Sequence, residues 1–258
     1  MQFAFLGSGS RGNSLLVEHK QTCLMLDNGF STRETVARLG RLQQAPGVID
    51  AILVTHEHSD HIAGVGVYAR RYQVPVWMTP GTYEAARHRL GDIPQLNFFD
   101  PGDSFSIQDL ELTPIPLMHD AKQPCQFVLG DGQYRFAVLT DTGSSNTEIE
   151  SLISGCDALA LECNHDRKML QNSDYPKSLK QRVAGQMGHL DNDSAANILQ
   201  SIDCSRLQHF VSVHLSEKNN MPTLVRDTLS SATGWPQETI QLASQDRVSP
   251  WRALSHVF

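Results

Sequence analysis

Three histidines and an aspartate fall within six residues in the stretch Thr55-His56-Glu57-His58-Ser59-Asp60-His61. Imidazole is a borderline ligand and carboxylate a hard one, so this mixture suits Zn²⁺, Mn²⁺ or Fe. The cluster is too dense in groups that are costly to bury to be ordinary core. It follows directly on Ala51-Ile52-Leu53-Val54, an apolar run that reads as a buried strand. Such a strand delivers its ligands to its own C-terminal edge.

The same arrangement recurs three times. Apolar runs precede His119, Asp141 and His214. Ligands at one edge of several strands can converge in space, although their sequence separation alone means nothing. The seven side chains His56, His58, Asp60, His61, His119, Asp141 and His214 exceed the four of a structural zinc site. They suit two divalent ions, Zn²⁺ or Mn²⁺, with positions open for water. Two ions about 3.5–4 Å apart can hold a hydroxide and clamp both reacting oxygens of a phosphodiester. Taken singly, His119 and His214 would read as solvated or hydrogen-bonded residues. His19, His88, His165, His209 and His256 keep that ordinary reading.

The elements that must position these groups follow from pattern. Met1–Leu6 alternates as an edge or first strand, with Leu15–Glu18 and Thr22–Asp27 as strands after it. Between them lies Leu6-Gly7-Ser8-Gly9-Ser10-Arg11-Gly12-Asn13-Ser14, a hairpin turn or a loop whose backbone N–H groups face an anion. It is neither a P-loop nor a dinucleotide fingerprint. Ser31 caps a helix from Thr32 to Leu39, with Glu34 at the capping-box position and Gly40 as stop. Arg33, Arg38 and Arg41 on it form a solvated face by default, or a phosphate-facing patch. Further helices are expected over 62–71, 80–89, 147–154, 195–202 and 222–233. Further strands are expected over 74–78, 96–99, 105–107, 110–116, 126–129, 134–139, 158–162, 210–213 and 239–242. Residues 164–188 are polar and carry no clear element. No linker interrupts the chain, so residues 1–258 read as one domain.

Composition excludes some classes. Hydrophobic residues at 40% and charged residues at 19% allow a substantial core. A net charge of -7 gives no global attraction to nucleic acid or anionic membrane, so phosphate binding must be local. No apolar run reaches the roughly 18 residues of a membrane span, and the first residues do not read as a signal peptide. Five cysteines without a Cys-x-x-Cys pair read as reduced thiols of a cytoplasmic protein. Aromatic residues amount to 7%, with no stripe for base stacking.

The pattern His56-x-His58-x-Asp60-His61 resembles the signature of the metallo-β-lactamase fold superfamily, and His119, Asp141 and His214 fall in its order of remaining ligands. The resemblance implies an α/β fold, a four-layer αββα sandwich. It also implies that His56, His58 and His119 hold one metal, Asp60, His61 and His214 the other, and that Asp141 bridges. The loop Leu6–Ser14, Gly188-His189-Leu190 and His214-Leu-Ser-Glu-Lys-Asn-Asn220 resemble the YycJ/WalJ-type subfamily, regarded as metal-dependent 5′→3′ DNA exonucleases or, more broadly, phosphodiesterases. Candidate substrate contacts are then Ser8, Ser10, Asn13, His189 and Asn219. Asp191 stands where that group has Ser, and its carboxylate would repel phosphate. His58, where a glutamate would suggest a di-iron oxidase, speaks for hydrolysis. The chain is too short for this core plus a large inserted nuclease clamp.

The expected mechanism is metal-assisted hydrolysis. Asp60 acts as ligand and orienter of the nucleophile, and His189 either contacts the phosphate or protonates the leaving oxygen, or else caps or packs against the following helix. The expected substrate is DNA, or RNA, or a small phosphodiester. A small-molecule hydrolase (cyclic phosphodiesterase, thioesterase or lactamase) is the alternative, and a non-catalytic metal-binding protein a third.

Overall fold

Alternation along single strands decides the architecture. Phe3 and Phe5 point into one apolar cluster and Leu6 into another; Ala158 and Ala160 point one way, Leu159 and Leu161 the other. Strands buried on both faces need a covering layer on each side. A computed structural model, which describes residues 1–255, shows two seven-stranded sheets packed face to face with helices outside. His256 lies outside the described residues.

The first sheet contains β1 (Gln2–Gly7), β2 (Ser14–His19), β3 (Thr22–Leu26), β4 (Ala51–Leu53), β5 (Val76–Met78) and β6 (Leu96–Phe98). The second contains β7 (Phe105–Ile107), β8 (Leu110–Pro116), β9 (Cys125–Gly130), β10 (Arg135–Leu139), β11 (Ala158–Glu162), β12 (His209–Val213) and β13 (Gln241–Leu242). The chain then returns as β14 (Arg252–Ala253), which pairs with β1. Phe3 stacks on Phe136 across the sheets at 4.1 Å between ring centroids. Such fully buried rings each contribute about 1.5–3 kcal/mol of burial.

Helices α1 (Thr32–Arg41), α2 (Ser59–Ile62), α3 (Val65–Tyr72) and α4 (Pro80–Leu90) follow strands of the first sheet. Leu39, Tyr68 and Leu90 pack with its outer face. Helices α5 (Thr147–Ile153), α6 (Arg167–Asn172), α7 (Lys177–Val183), α8 (Asn192–Ser201) and α9 (Pro222–Thr233) belong to the second half. Ile153, Ile198 and Leu229 cover the outer face of the second sheet.

Several expectations change. The segment at Met1–Leu6 is the expected first strand, β1, and it is interior rather than an edge, flanked by β14 and β2. Helix α1 runs through Gly40 to Arg41, and Glu34 turns its carboxylate to Arg38 Nε (2.7 Å) instead of closing the capping box. Arg38 is neither solvated nor phosphate-facing: it is buried and donates to Leu6 O (2.6 Å) and Gln245 O (3.0 Å). Polar residues 164–188 contain α6 and α7, and α8 starts at Asn192 rather than Ala195. The last expected strand shrinks to β13 because a 3₁₀ turn takes Gln237–Thr239. All five cysteines are unpaired. Among the described residues no helix is long and apolar enough to cross a membrane.

Candidate metal centre

Strand direction explains the convergence. β3 and β4 are parallel, as are β10, β11 and β12. Their C-terminal ends carry Asp27, Thr55-His56, Asp141, Glu162 and His214. β8 is antiparallel to β9, and β9 to β10, so β8 hands His119 to the same edge as β10. The motif loop is tied down by Asn13 N donating to Asp60 O (2.8 Å) and Asn28 N to His61 O (2.8 Å). Only glycine fits beneath it: a Cβ on Gly29 would lie 1.8 Å from Asp60 O.

The donor atoms close on one another. His119 Nε2 lies 3.2 Å from His58 Nδ1. His61 Nε2 lies 3.5 Å from Asp60 Oδ2 and 3.5 Å from Asp141 Oδ2. His214 Nε2 lies 3.5 Å from Asp60 Oδ2 and 3.5 Å from Asp141 Oδ1. Two donors each about 2.0–2.1 Å from a tetrahedral ion stand roughly 3.3–3.4 Å apart, so this spacing fits a divalent cation. His56 Nε2 and His214 Nε2 are buried without a hydrogen bond. An unpaired buried group costs about 1–3 kcal/mol, which a bound cation would remove. Donor atoms within 4.8 Å of one another form the sets His56/His58/His119, His56/His61/Asp141, Asp60/His61/His214 and Asp141/Glu162/His189/His214.

A second ring of groups fixes these ligands. His61 Nδ1 meets Asp27 Oδ2 at 2.7 Å, and Thr55 donates its N and Oγ1 to the same carboxylate at 2.9 Å each. Thr55 Oγ1 also lies 2.9 Å from His56 Nδ1. His119 Nδ1 donates to Gly188 O at 3.2 Å. The fully buried Glu162 Oε1 lies 2.8 Å from His189 Nδ1 and 3.2 Å from His214 Nδ1. Asp27, Asp141 and His214 have left-handed backbone, at φ 57°, 58° and 55°. That conformation is rare outside glycine, and costs about 1–3 kcal/mol when sparsely populated. Each of these residues turns off its strand where the side chain must face the centre.

Electrostatics follow the geometry. Burial pushes the Asp141 carboxyl up, but His214 and His61 overcome it and hold it well below the usual range. Asp60 behaves likewise, with His61 and His214 outweighing burial. Burial and the neighbouring His61 push His56 down, to the neutral form that ligates metal. Burial alone would lower His189; Glu162 outweighs it and raises that imidazole.

A model of the β-lactamase superfamily domain matches residues 22–214. The chain belongs to the β-lactamase superfamily. It is 36% identical over 232 residues to Exodeoxyribonuclease YycJ of Bacillus anthracis, across 89% of this chain and 88% of that protein. It is 33% identical over 232 residues to Exodeoxyribonuclease WalJ of Streptococcus pneumoniae, across 88% and 86%. Among solved structures it is similar to the metallo-β-lactamase fold protein YhfI from Bacillus subtilis, with a TM-score of 0.73, 16% identity and coverage of 96% and 98%. A diphosphatase of the PhnP family gives 0.68 at 18% identity, covering 96% of each chain. Likeness at those identities concerns the fold, and it is the αββα sandwich that the superfamily signature implies.

All seven expected ligands of this superfamily member come together, with His189 and Asn13 beside them. Asn13 Nδ2 donates to Asp60 Oδ2 at 3.1 Å. The remaining expected substrate contacts are Ser8, Ser10 and Asn219. Ser8 is buried, and its Oγ accepts the His214 N–H at 2.9 Å. Ser10 sits exposed on its loop, and Asn219 is buried with Oδ1 unpartnered. The loop's amides do not form an anion cradle. Ser8, Gly9, Arg11, Gly12 and Asn13 N–H groups already donate to Ser244 O, Asn13 Oδ1, Gln245 Oε1, Gly9 O and Asp60 O. The Asp191 carboxylate is also occupied, capping α8 through the Asp193 and Ser194 N–H groups and pairing with Arg167 Nε at 2.9 Å. Two functional residues escaped the sequence reading, Asp27 and Glu162. Both end an apolar strand in an acid, the same signal that flagged Asp141.

Proposed function

We propose that this chain is a metal-dependent nuclease that removes nucleotides from DNA as a 5′→3′ exodeoxyribonuclease. The observation that carries this reading is its 36% identity, across 89% of the chain, to a protein named exodeoxyribonuclease. The converged donor set supports two divalent ions, zinc or manganese. His56, His58 and His119 would hold one, Asp60, His61 and His214 the other, and Asp141 would serve both. When bound, such ions supply Lewis acidity toward a phosphoryl oxygen and ionise water near neutral pH.

This chain's residues set the geometry of hydrolysis. Asp60 turns Oδ2 toward His61, His214 and Asn13, which leaves Oδ1 to orient the attacking water. The water sheds a proton to solvent and its oxygen bonds phosphorus as the P–O ester bond breaks. His189 gives a proton to the leaving oxygen. Its Nδ1 is taken by buried Glu162 and its ring is one-fifth exposed, so Nε2 faces the substrate side. Packing holds it there: a Cβ on Gly188 would lie 2.2 Å from Arg182 O, so that segment passes flush against α7. Residues 1–258 work as one domain in the cytoplasm, where unpaired thiols stay reduced.

The test is hydrolysis by Mn²⁺- or Zn²⁺-loaded protein of 5′-phosphorylated DNA, RNA and bis(p-nitrophenyl) phosphate. Release of mononucleotides from the DNA 5′ end is expected, with Asp60→Ala reduced at least about 10²–10⁴-fold. Strong diester turnover without nucleic-acid cleavage would overturn the nuclease reading in favour of a small-molecule hydrolase. An undiminished Asp60→Ala variant would overturn the site.

A further inference from the structure

A cleft of about 660 Å³ opens beside the metal centre, between the segment after β12 and the loop that joins β13 to β14. Ser8, Leu215 and Ser216 line it, so it adjoins the residue that follows His214 and the hydroxyl that holds His214 N–H. Three arginines face it: Arg226, Arg247 and Arg252. None of them is ion-paired among the described residues. Arg226 Nε donates to Ile240 O (3.3 Å), and Arg252 Nη1 donates to Pro250 O (3.3 Å) while its Nε meets the Gln241 side chain. Arg247 is exposed at the rim.

The cleft lining has two carboxylates, Glu217 and Asp246, and Arg11 binds both. Its guanidinium takes Glu217 at 2.8 Å and Asp246 at 2.9 Å. The fourth arginine, Arg11, offsets one of these two acids, so the four arginines and two carboxylates leave a net charge of +2 at the cleft. This excess stands out on a chain whose net charge is -7. Guanidinium forks match phosphate oxygens in geometry and charge. The lining has no aromatic side chain, so a ligand there is held by its backbone charge and not by base stacking.

We propose that this cleft is a second subsite for single-stranded DNA, which grips phosphates of the strand adjoining the scissile bond through Arg226 and Arg247, and so sets how long a strand must be to bind well. The inference rests on the nuclease reading of the metal centre and adds a binding surface that the seven ligands do not supply. It also answers the overall acidity of the chain, because phosphate attraction is confined to one groove.

The experiment measures affinity for phosphorothioate-linked oligothymidylates, which keep the backbone charge and resist hydrolysis. Metal-loaded wild type and the double variant Arg226→Gln/Arg247→Gln are compared on dimers and decamers at several salt concentrations. Wild type should bind the decamer much more tightly than the dimer. The double variant should lose about tenfold on the decamer, and its log–log salt slope should fall by roughly 1.4, or about 0.7 per lost single-strand phosphate contact. Unaltered melting temperatures would show that both proteins are folded. Equal decamer affinity and salt slope in a wild type that cleaves DNA would overturn the cleft and spare the nuclease reading. Saturation by thymidine monophosphate with no gain from added nucleotides would make it a mononucleotide site and overturn the strand assignment. Failure of wild type to cleave any DNA would overturn the nuclease reading, and the strand subsite with it.

Discussion

The two halves of the candidate metal centre are built in different ways. On the first-sheet side, His56, His58, Asp60 and His61 come from one loop, tied down by Asn13, Asn28 and the Asp27–Thr55 pair. On the second-sheet side, His119, Asp141 and His214 come from three strand ends far apart in sequence. Asp141 and His214 sit in left-handed backbone, and His214 leans on the buried Glu162. A short loop closes at little entropic cost, whereas distant strand ends meet only after the sheet has formed. The first side is therefore a local device, and the second is a property of the whole fold.

Removing metal should have the largest effect and should not separate the sides. Chelation is expected to abolish hydrolysis and to lower the melting temperature, since an ion at about 1,000 times its Kd stabilises by roughly 4 kcal/mol. Re-addition of Mn²⁺ or Zn²⁺ should restore both. A melting temperature indifferent to chelation would mean that the donors fold without an ion. The next test divides the sides. His58→Ala removes a ligand from the loop, and His214→Ala removes one from a strand end. Each should lower bound metal by about one equivalent by elemental analysis, and hydrolysis by at least about 10³-fold, because the proposed pair of ions would lose one member. Two full equivalents in either variant would contradict the division of ligands.

A smaller effect probes the groups behind the ligands. Asp27→Asn and Glu162→Gln should each weaken metal binding by about 10–100-fold. They should differ in catalysis. Asp27 touches His61 and Thr55, whereas Glu162 touches both His214 and His189. Glu162→Gln should therefore lower kcat even with metal saturating, while saturating metal should rescue Asp27→Asn. Equal rescue of the two would remove His189 from the mechanism.

This contrast also explains what could be read in advance. The His56–His61 cluster declares itself because its residues are contiguous and too polar for a core. The ends of β8, β10 and β12 were legible as apolar runs that stop at a ligand. Glu162 and Asp27 carry the same mark, but a carboxylate that touches only other side chains has no spacing of its own to reveal it. The loop Gly7–Ser14 is the expected hairpin connection, joining antiparallel β1 and β2, and only its alternative reading fails. Its glycines and serines suggest an anion cradle, yet its amides are spent on Ser244, Gln245 and Asp60, groups remote in sequence. Arg38 misled for a similar reason, since its partners are backbone carbonyls of Leu6 and Gln245. The helices α6 and α7 lack an apolar stripe, and α7 buries no residue, so periodicity could not find them.

The smallest effect compares the helix caps on the two sides. Ser31 accepts the Glu34 N–H at 3.3 Å on α1, and Asp191 accepts the Asp193 and Ser194 N–H groups at 2.9 and 3.0 Å on α8. Replacing either by alanine should cost about 1 kcal/mol at neutral pH. Only the second cost should depend on pH. Burial pushes the Asp191 carboxyl up, but the bonds from Ser194 and the Arg167 guanidinium outweigh it, and the group sits below the usual carboxylate range. A depressed folded-state value means that the stabilisation is complete above the unfolded carboxyl value and fades as pH falls through the folded one. The melting-temperature gap between wild type and Asp191→Ala should therefore be full at pH 7 and should narrow on acidification below about pH 4. The gap for Ser31→Ala, which has no charge to lose, should hold steady over the same range. A constant gap for both would mean that Asp191 acts as a neutral cap, and that Arg167 adds nothing measurable to it.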